Sequence, residues 1–508
     1  MIALALSNLA NLVSLVINAT TFGTEGEMDA FLAANRVSET LFVLMAGGAL
    51  GSAFIPTFTG LLTKEKREQA WQLASAIANL VLLVLTLSAI LAAIFAKPLV
   101  RYVLAPGFAS KPTLETLTVN LLRVMLPSAV IFGLSGLVMG ILNSHQKFFI
   151  PALTPALYRL GMIFGVIFLS PSMGIFGLAW GVVIGAALHL VSQLPSLLRL
   201  KGQYFPSLGL RNLAVREVGL LMAPRLFGVA AVQLNFWINT RLASRMVEGS
   251  VTGISWGLTI MLMPQAIIAQ AVATAALPTL SAQYALGKLS ELRASLAASL
   301  RGILFLALPA SIGLIMLRQP IVALMLEYGK FDEQSTQMVS WALLWYAAGL
   351  VGHCIVEIFS RSFYALHNTR TPVIVGVLAM ALNVGLSILF SAWFERIGWL
   401  PHGGLALANS LATGLEAAIL WVLMRRRLNG IQGRRVALGI GQASLGTGGM
   451  ALALWGWSHL IGGQSAWIAG FGGVVVGGTV YALSIFLLGA EEIRQILGAV
   501  KARLGLRS

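Results

Sequence analysis

Runs of about 20 apolar residues recur from one end of this sequence to the other, and they limit what it can fold into. Lipid offers backbone amides and carbonyls no partner, so a segment crossing it must satisfy its own hydrogen bonds, which a helix of about 20 residues does. A window of about 19 residues divides the chain into about fourteen such stretches. They lie near 1–20, 29–61, 70–95, 117–142, 149–169, 174–198, 218–245, 250–280, 300–317, 336–366, 371–394, 402–424, 436–461 and 465–489. The composition is 57% hydrophobic and 10% charged over 508 residues, which leaves too little polar residue to clothe a soluble core. No stretch between the runs is polar and long enough for a separate soluble domain. The expectation is an all-α polytopic membrane protein. Run 29–61 exceeds one span and holds Gly47, Gly48 and Gly51, so a bend is expected there.

A net charge of +16 invites a nucleic-acid reading, but the basic residues are scattered over short loops. Alternate loops carry most of them: Lys64, Lys66 and Arg67; His145 and Lys147; Arg199, Lys201, Arg211 and Arg216; Lys288, Arg293 and Arg301; Arg370; and Arg425, Arg426, Arg427, Arg434 and Arg435. The positive-inside rule places that side in the cytoplasm, together with both termini, and turns the acidic loop around Glu25 and Glu27 outward. No nucleic acid is expected as a partner. The first run starts at Met1 without a basic region before it, so no cleavable signal is read. The amphipathic segments 282–301 and 490–508 are expected to lie on the cytoplasmic leaflet, held by anionic lipid.

The chain repeats itself. AFIPTFTGLL at 53–62 resembles AALPTLSAQY at 275–284, and KPLVRYVLAPGF at 97–108 resembles RQPIVALMLEYGKF at 318–331. HQKFFIP at 145–151 resembles HNTRTP at 367–372, and INAT at 17–20 resembles INTR at 238–241, all at an offset of about 222 residues. Six spans per copy is an even number, so both copies enter the membrane from the same side as parallel repeats. The expected organisation is a six-helix lobe over 1–200, a second over 218–424, two appended helices over 436–489 and an amphipathic tail over 490–508. Two lobes favour a transporter working by alternating access.

Intramembrane charges are functional candidates because burying them is expensive. His353, Glu357 and Arg361 fall at i, i+4 and i+8, on one helical face and in the favourable acid-before-base order. They form either a proton relay or anion-gripping stripe, or a self-satisfied ion pair. Arg225, Gln233, Asn235, Asn239 and Arg241 share the seventh run, as in a helix lining a path for phosphate or sugar; the rival reading has the two arginines snorkelling to opposite faces. Asn383 and Glu416 are weaker candidates, each more often a packing hydrogen bond. Asp29 and Arg36 lie seven apart, about 10 Å along one helix, with Glu39 three beyond Arg36; Asp29 also suits a first-turn acid.

No enzyme signature emerges. Walker A and HExxH patterns are missing, no Ser/His/Asp set is placed for acyl transfer, and the lone Cys354 excludes intrachain disulfides and thiolate metal sites. No cofactor and no metal are expected. A membrane enzyme acting on a polyprenyl phosphate would need clustered carboxylates to hold metal. The candidate clusters, Glu25/Glu27/Asp29 and Asp332/Glu333, have neither a histidine nor a basic cluster beside them.

An ordered set of stretches then resembles the lipid II flippase family (MurJ/MviN) of the multidrug/oligosaccharidyl-lipid/polysaccharide exporter superfamily. The set comprises FG at 22–23, DAF at 29–31, GALGSAFIP at 48–56, APGF at 105–108, GILN at 140–143, FIPALTPAL at 149–157, LPTLS at 277–281, EYGKF at 327–331 and FYALHNTRTPV at 363–373. The resemblance implies a V-shaped, two-lobed carrier with a cationic cavity in the bacterial cytoplasmic membrane. Such a carrier moves an undecaprenyl-pyrophosphate-linked peptidoglycan precursor from the inner to the outer leaflet. Its partners would be that polyprenyl-pyrophosphate-linked glycolipid and membrane lipid, with the chain acting as a monomer. Guanidinium donors suit pyrophosphate. The alternatives within the superfamily are a flippase for another polyprenyl-linked oligosaccharide and an ion-coupled exporter of small solutes. The sequence departs from the family pattern at 8–15, NLANLVSL, where two arginines and an acid are expected. It departs also at Phe42 and Val43 (a basic pair), at Gly47 (a glutamate) and at Thr259 (an arginine). Asp29 and Arg36 keep the expected charge type. The cavity set expected to meet cargo is therefore Asp29, Arg36, Arg225, Asn235, Asn239, Arg241, Thr259, Glu357 and Arg361.

Overall fold

The computed structural model describes residues 2–45, 49–461 and 465–490, and side chains throughout these except at 2–5, 45, 49–50, 52, 224–225 and 227. The expected bend at Gly47 and Gly48 and the expected tail beyond residue 490 lie outside the described residues. Among the described residues every regular element is helical. Ten of those helices are long and apolar enough to cross a membrane, or twelve when each of two bent pairs is one span. Shorter apolar helices cover Leu6–Phe22 and Ala53–Thr63.

The helices gather into two compact units, Met1–Thr252 with Tyr328–Asp332, and Gly253–Glu327 with Glu333–Ser508. In the first, Pro112–Ser144 is the central helix and packs against Gly26–Met45, Arg67–Ile94 and Ile175–Val191. It can be surrounded because its buried face is studded with small residues, Ser128, Ala129, Gly133, Ser135, Gly136 and Gly140, which let neighbouring backbones approach. Elsewhere in the unit, at Gly161, two helix backbones nearly touch, since a Cβ there would stand 2.2 Å from the Gly185 Cα of the adjoining helix. An aromatic core of Phe54, Phe58 and Trp71 closes one end of the unit.

In the second unit, Gly433–Leu460 packs on Leu289–Met316, and Gly473–Leu487 packs on Gly433–Leu460. Met450, Leu454, Tyr481 and Ile485 form that seam, and the Tyr481 hydroxyl donates to the Phe305 carbonyl at 2.5 Å. Glu333–Ala348 and Leu350–Ala365 meet at a 49° bend. The cause is local: Ser410 presses against Gly349, where a Cβ would lie 2.4 Å from its Oγ, and the same hydroxyl donates to the Trp345 carbonyl at 2.6 Å. Trp341, Trp345, Trp393, Phe394 and Trp399 cluster at one end of this unit, the placement of an interfacial aromatic belt.

Local geometry recurs at the offset seen in the sequence. Arg67–Ile94 and Leu289–Met316 are both 28 residues long, and their N-cap lysines, Lys66 and Lys288, adopt nearly the same φ and ψ (−86°, 56° and −80°, 61°). The left-handed turn residues Glu65 and Gln146 reappear as Gly287 and His367. One expectation is corrected here. Segment 282–301 is not a surface helix of its own. It comprises the end of Ala271–Ala285, a turn at Gly287 (φ +67°), and the first turns of Leu289–Met316, a helix beginning eleven residues before the run read at 300–317. Lys288 and Glu291 pair at 3.0 Å across that start, so the polar residues of this stretch belong to a helix entry.

Candidate functional site

Asp29 is a buried and fully engaged carboxylate of the first unit. It sits in the first turn of Gly26–Met45 and is only 3% exposed. Its Oδ2 accepts the Gly249 amide at 2.8 Å; its Oδ1 accepts the Thr252 amide at 2.8 Å and the Thr252 hydroxyl at 2.6 Å. Ser250 opens the next helix, so Asp29 caps that helix from another part of the chain, with its negative charge at the positive end of the dipole. Charge-assisted bonds of this length are the strong kind.

Further contacts tie the same corner together. Glu248 accepts the Gly26 amide and the Lys111 ammonium, both at 2.7 Å. The Lys111 ammonium, helped by the Gly26 amide and opposed by partial burial, holds the Glu248 carboxyl below the usual carboxylate range. The repeated motifs APGF and EYGKF perform matching tasks. Gly107 packs on the Ser244 carbonyl, which a Cβ would approach to 2.0 Å, and Gly329 (φ +63°) packs on the Thr20 carbonyl at 2.3 Å. Thr20 also accepts the Lys330 amide at 2.9 Å. Each motif thus rests on the end of the opening helix of the opposite repeat, Ile2–Phe22 or Leu213–Ala243. Only glycine lets two backbones come this near.

Deeper in the unit, Arg36 pairs with Glu39 at 3.0 Å and lies over the Phe236 ring, 5.2 Å from its centroid. Trp237 donates to Thr40 at 2.7 Å, and Asn239 donates to Asn235 at 3.3 Å, both amides being buried. Gly26–Met45 and Leu213–Ala243 therefore bring Arg36, Asn235 and Asn239 into one region. Arg241 is turned differently, donating to the backbone carbonyls of Tyr102 and Val103. Arg225 lies in the same helix with its side chain outside the described residues. Arg159, which the candidate set omits, stacks on Tyr158 at 5.3 Å and makes no ion pair among the described residues.

In the second unit Glu357 and Arg361 form the expected i,i+4 pair, with Nε–Oε1 at 2.8 Å, and Arg361 also donates to Thr274. His353 takes no part in it: its Nε2 meets the Asn409 Oδ1 at 3.1 Å on helix His402–Arg427. The Thr259 hydroxyl turns back to the Ser255 carbonyl of its own helix at 2.8 Å. Sequence reasoning missed Gly249, Thr252, Glu248, Lys111, Asn409 and Thr274 as partners. The one local signal was the G-S-x-T start of the helix at Ser250, a capping signature that marks where a helix begins without naming what caps it.

Comparison with known proteins follows the same lines. The family described as "Lipid II flippase MurJ" matches residues 18–472. The lipid II flippase MurJ of Burkholderia cenocepacia is 30% identical over 433 residues, covering 83% of this chain and 82% of that protein. In fold, the chain is similar to a solved structure of lipid II flippase MurJ in an inward closed conformation, with a TM-score of 0.83 and 24% identity over 97% of this chain and 99% of that one. An inward-facing multidrug resistance MATE family transporter of the MOP superfamily gives a TM-score of 0.71 at 18% identity, over 84% of this chain and 96% of its own.

Proposed function

This chain belongs to the lipid II flippase MurJ family, and from that premise we propose that it carries lipid II from the inner to the outer leaflet of the bacterial cytoplasmic membrane. The observation that carries the reading is the family match over residues 18–472, which takes in both copies of the repeat. Many apolar helices fit a multi-pass protein of that membrane.

The mechanism we infer is alternating access by two parallel six-helix lobes, 1–200 and 218–424, with both termini in the cytoplasm. Matched helix lengths and turn geometry at the repeat offset support the lobes. The contacts of Asp29, Glu248, Gly107 and Gly329 act as an outer clasp, and releasing them accompanies opening to the outside. Within the first unit, the donors for cargo pyrophosphate are Arg36, Asn235 and Asn239, with Arg225 and Arg241 along its path; within the second, Arg361 and Thr259 are the donors and Glu357 holds Arg361 in the absence of cargo. Arg36 and Arg361 each spend one face of the guanidinium on a carboxylate, so an arriving phosphate competes with Glu39 and Glu357 for bidentate donors. The prenyl tail stays in lipid throughout.

Complementation tests this. Cells depleted of their own lipid II flippase are expected to grow when this chain is produced and inserted in their membrane. Lysis despite insertion, with an upstream-extended start included as a control, would sink the assignment.

A further inference from the structure

Glu416 is a carboxyl that the proposed path does not use. It lies near the middle of His402–Arg427, fourteen residues from one end and eleven from the other, or about 21 Å and 16 Å along the axis. It is 8% exposed and has no hydrogen bond or ion pair among the described residues. The other acids midway along spans are partnered, Glu39 by Arg36 and Glu357 by Arg361. Room for the carboxyl comes from the neighbouring helix Arg370–Arg396, where Gly376 faces it: a Cβ there would stand 3.3 Å from the Glu416 Oε1.

The surroundings offer no charge to hold an ionised carboxylate. Three helices pack against His402–Arg427. Arg370–Arg396 contributes no ionisable side chain between Arg370 and Glu395, and Glu333–Ala348 contributes only Tyr346 beyond Glu333. From Leu350–Ala365, His353 is engaged by Asn409, and Glu357 and Arg361 engage each other; Cys354 and Tyr364 are the other titratable groups of that helix. A carboxylate without a donor or a cation in a membrane interior is disfavoured, whereas the neutral acid needs neither. Among the described residues no group of three His, Cys, Asp or Glu side chains is placed to hold a metal ion.

We propose that Glu416 is a proton-carrying site: it takes a proton from water when its helix packing opens to one face of the membrane and returns it to water on the other. The step makes and breaks one O–H bond and needs no other reactant. Glu416 thereby couples the transport cycle to the proton gradient, an extension that rests on the transporter reading above.

The test uses the full chain in vesicles of phosphatidylethanolamine and phosphatidylglycerol. Infrared difference spectra through a pH titration are expected to show a protonated-carboxyl C=O band that disappears as pH rises. Glu416→Gln removes that band, and Gly376→Ala, which crowds the carboxyl without removing it, moves its midpoint. With lipid II in the vesicles, the wild-type rate responds several-fold to an imposed pH gradient, and Glu416→Gln moves lipid II at a rate indifferent to it. A band that never titrates, a band that survives Glu416→Gln, or a Glu416→Gln protein as gradient-sensitive as wild type overturns the proposal. A wild-type protein that moves no lipid II while its Glu416 band titrates sinks the flippase reading and leaves the proton site standing.

Discussion

Replacing Asp29 by Asn changes one heavy atom and should measurably loosen the corner it holds at Gly249 and Thr252. The carboxylate now accepts three hydrogen bonds, two from backbone amides and one from a hydroxyl. Asn keeps a single acceptor oxygen, so its amide nitrogen must face the donor at either Gly249 or Thr252. At least one charge-assisted bond is lost, about 1.5–3 kcal/mol, and the charge at the helix N-terminus goes with it, about 0.3–1 kcal/mol. Together, and without strict additivity, the local clasp weakens by about 2–4 kcal/mol. Since 1.4 kcal/mol is tenfold in an equilibrium constant, amide exchange at Gly249 and Thr252 should quicken on the order of 30- to 700-fold where local opening governs it. Hydrogen–deuterium exchange read by mass spectrometry over 246–256, in nanodiscs, measures this directly. Amides of the Gly23 turn serve as reference. A change below about threefold would refute the claim that the carboxylate holds this corner.

The remaining predictions concern the same framework. Gly329→Ala and Gly107→Ala should each lower stability by about 1–3 kcal/mol through forced overlap, with a left-handed backbone penalty added at Gly329, whereas Gly385→Ala, with nothing within 4 Å of the new Cβ, should be neutral or stabilising; thermal unfolding in detergent separates them. Glu248 has a depressed folded-state pKa, so its stabilising contribution is complete above the ordinary carboxylate range and is lost as pH falls through its folded value. Exchange at the Gly26 amide, corrected for intrinsic rate, should therefore rise in acid, and Glu248→Gln should abolish that dependence at once. Arg36→Gln should depress lipid II transport by tenfold or more, on the order of 1.5–3 kcal/mol for a charged hydrogen bond. Arg36→Lys should recover only part of it, because an ammonium cannot grip phosphate bidentately; initial rates in reconstituted vesicles decide the point.

How much of this was legible beforehand depends on the range of the interaction. Apolar runs report directly on helices because the bilayer imposes one solution, and the segments from 67–94 to 402–427 followed from hydropathy apart from their ends. The entry at Leu289–Met316 was misread because Arg293 and Arg301 lowered the local hydropathy although the helix runs straight through them. Glu357 with Arg361 was visible because i,i+4 neighbours are fixed by the helix itself. The partners of Asp29 lie 220–223 residues away, and no local pattern encodes that pairing. APGF and EYGKF stood out as repeated motifs, yet their purpose rests on carbonyls of Ser244 and Thr20 contributed from elsewhere. His353 shared a helical face with Glu357 by spacing, but a nearby Asn409 took its ring nitrogen.

The central claim is that this chain moves lipid II across a bilayer, and purified protein in vesicles tests it most directly. Fluorescent lipid II placed in both leaflets is followed with an enzyme that reacts only with headgroups outside. The account predicts that wild-type vesicles expose the inner pool to that enzyme, and that Arg36→Gln vesicles with equal protein content expose it far more slowly. An inner pool as protected as in protein-free vesicles, with the chain shown to be inserted and folded, would contradict it.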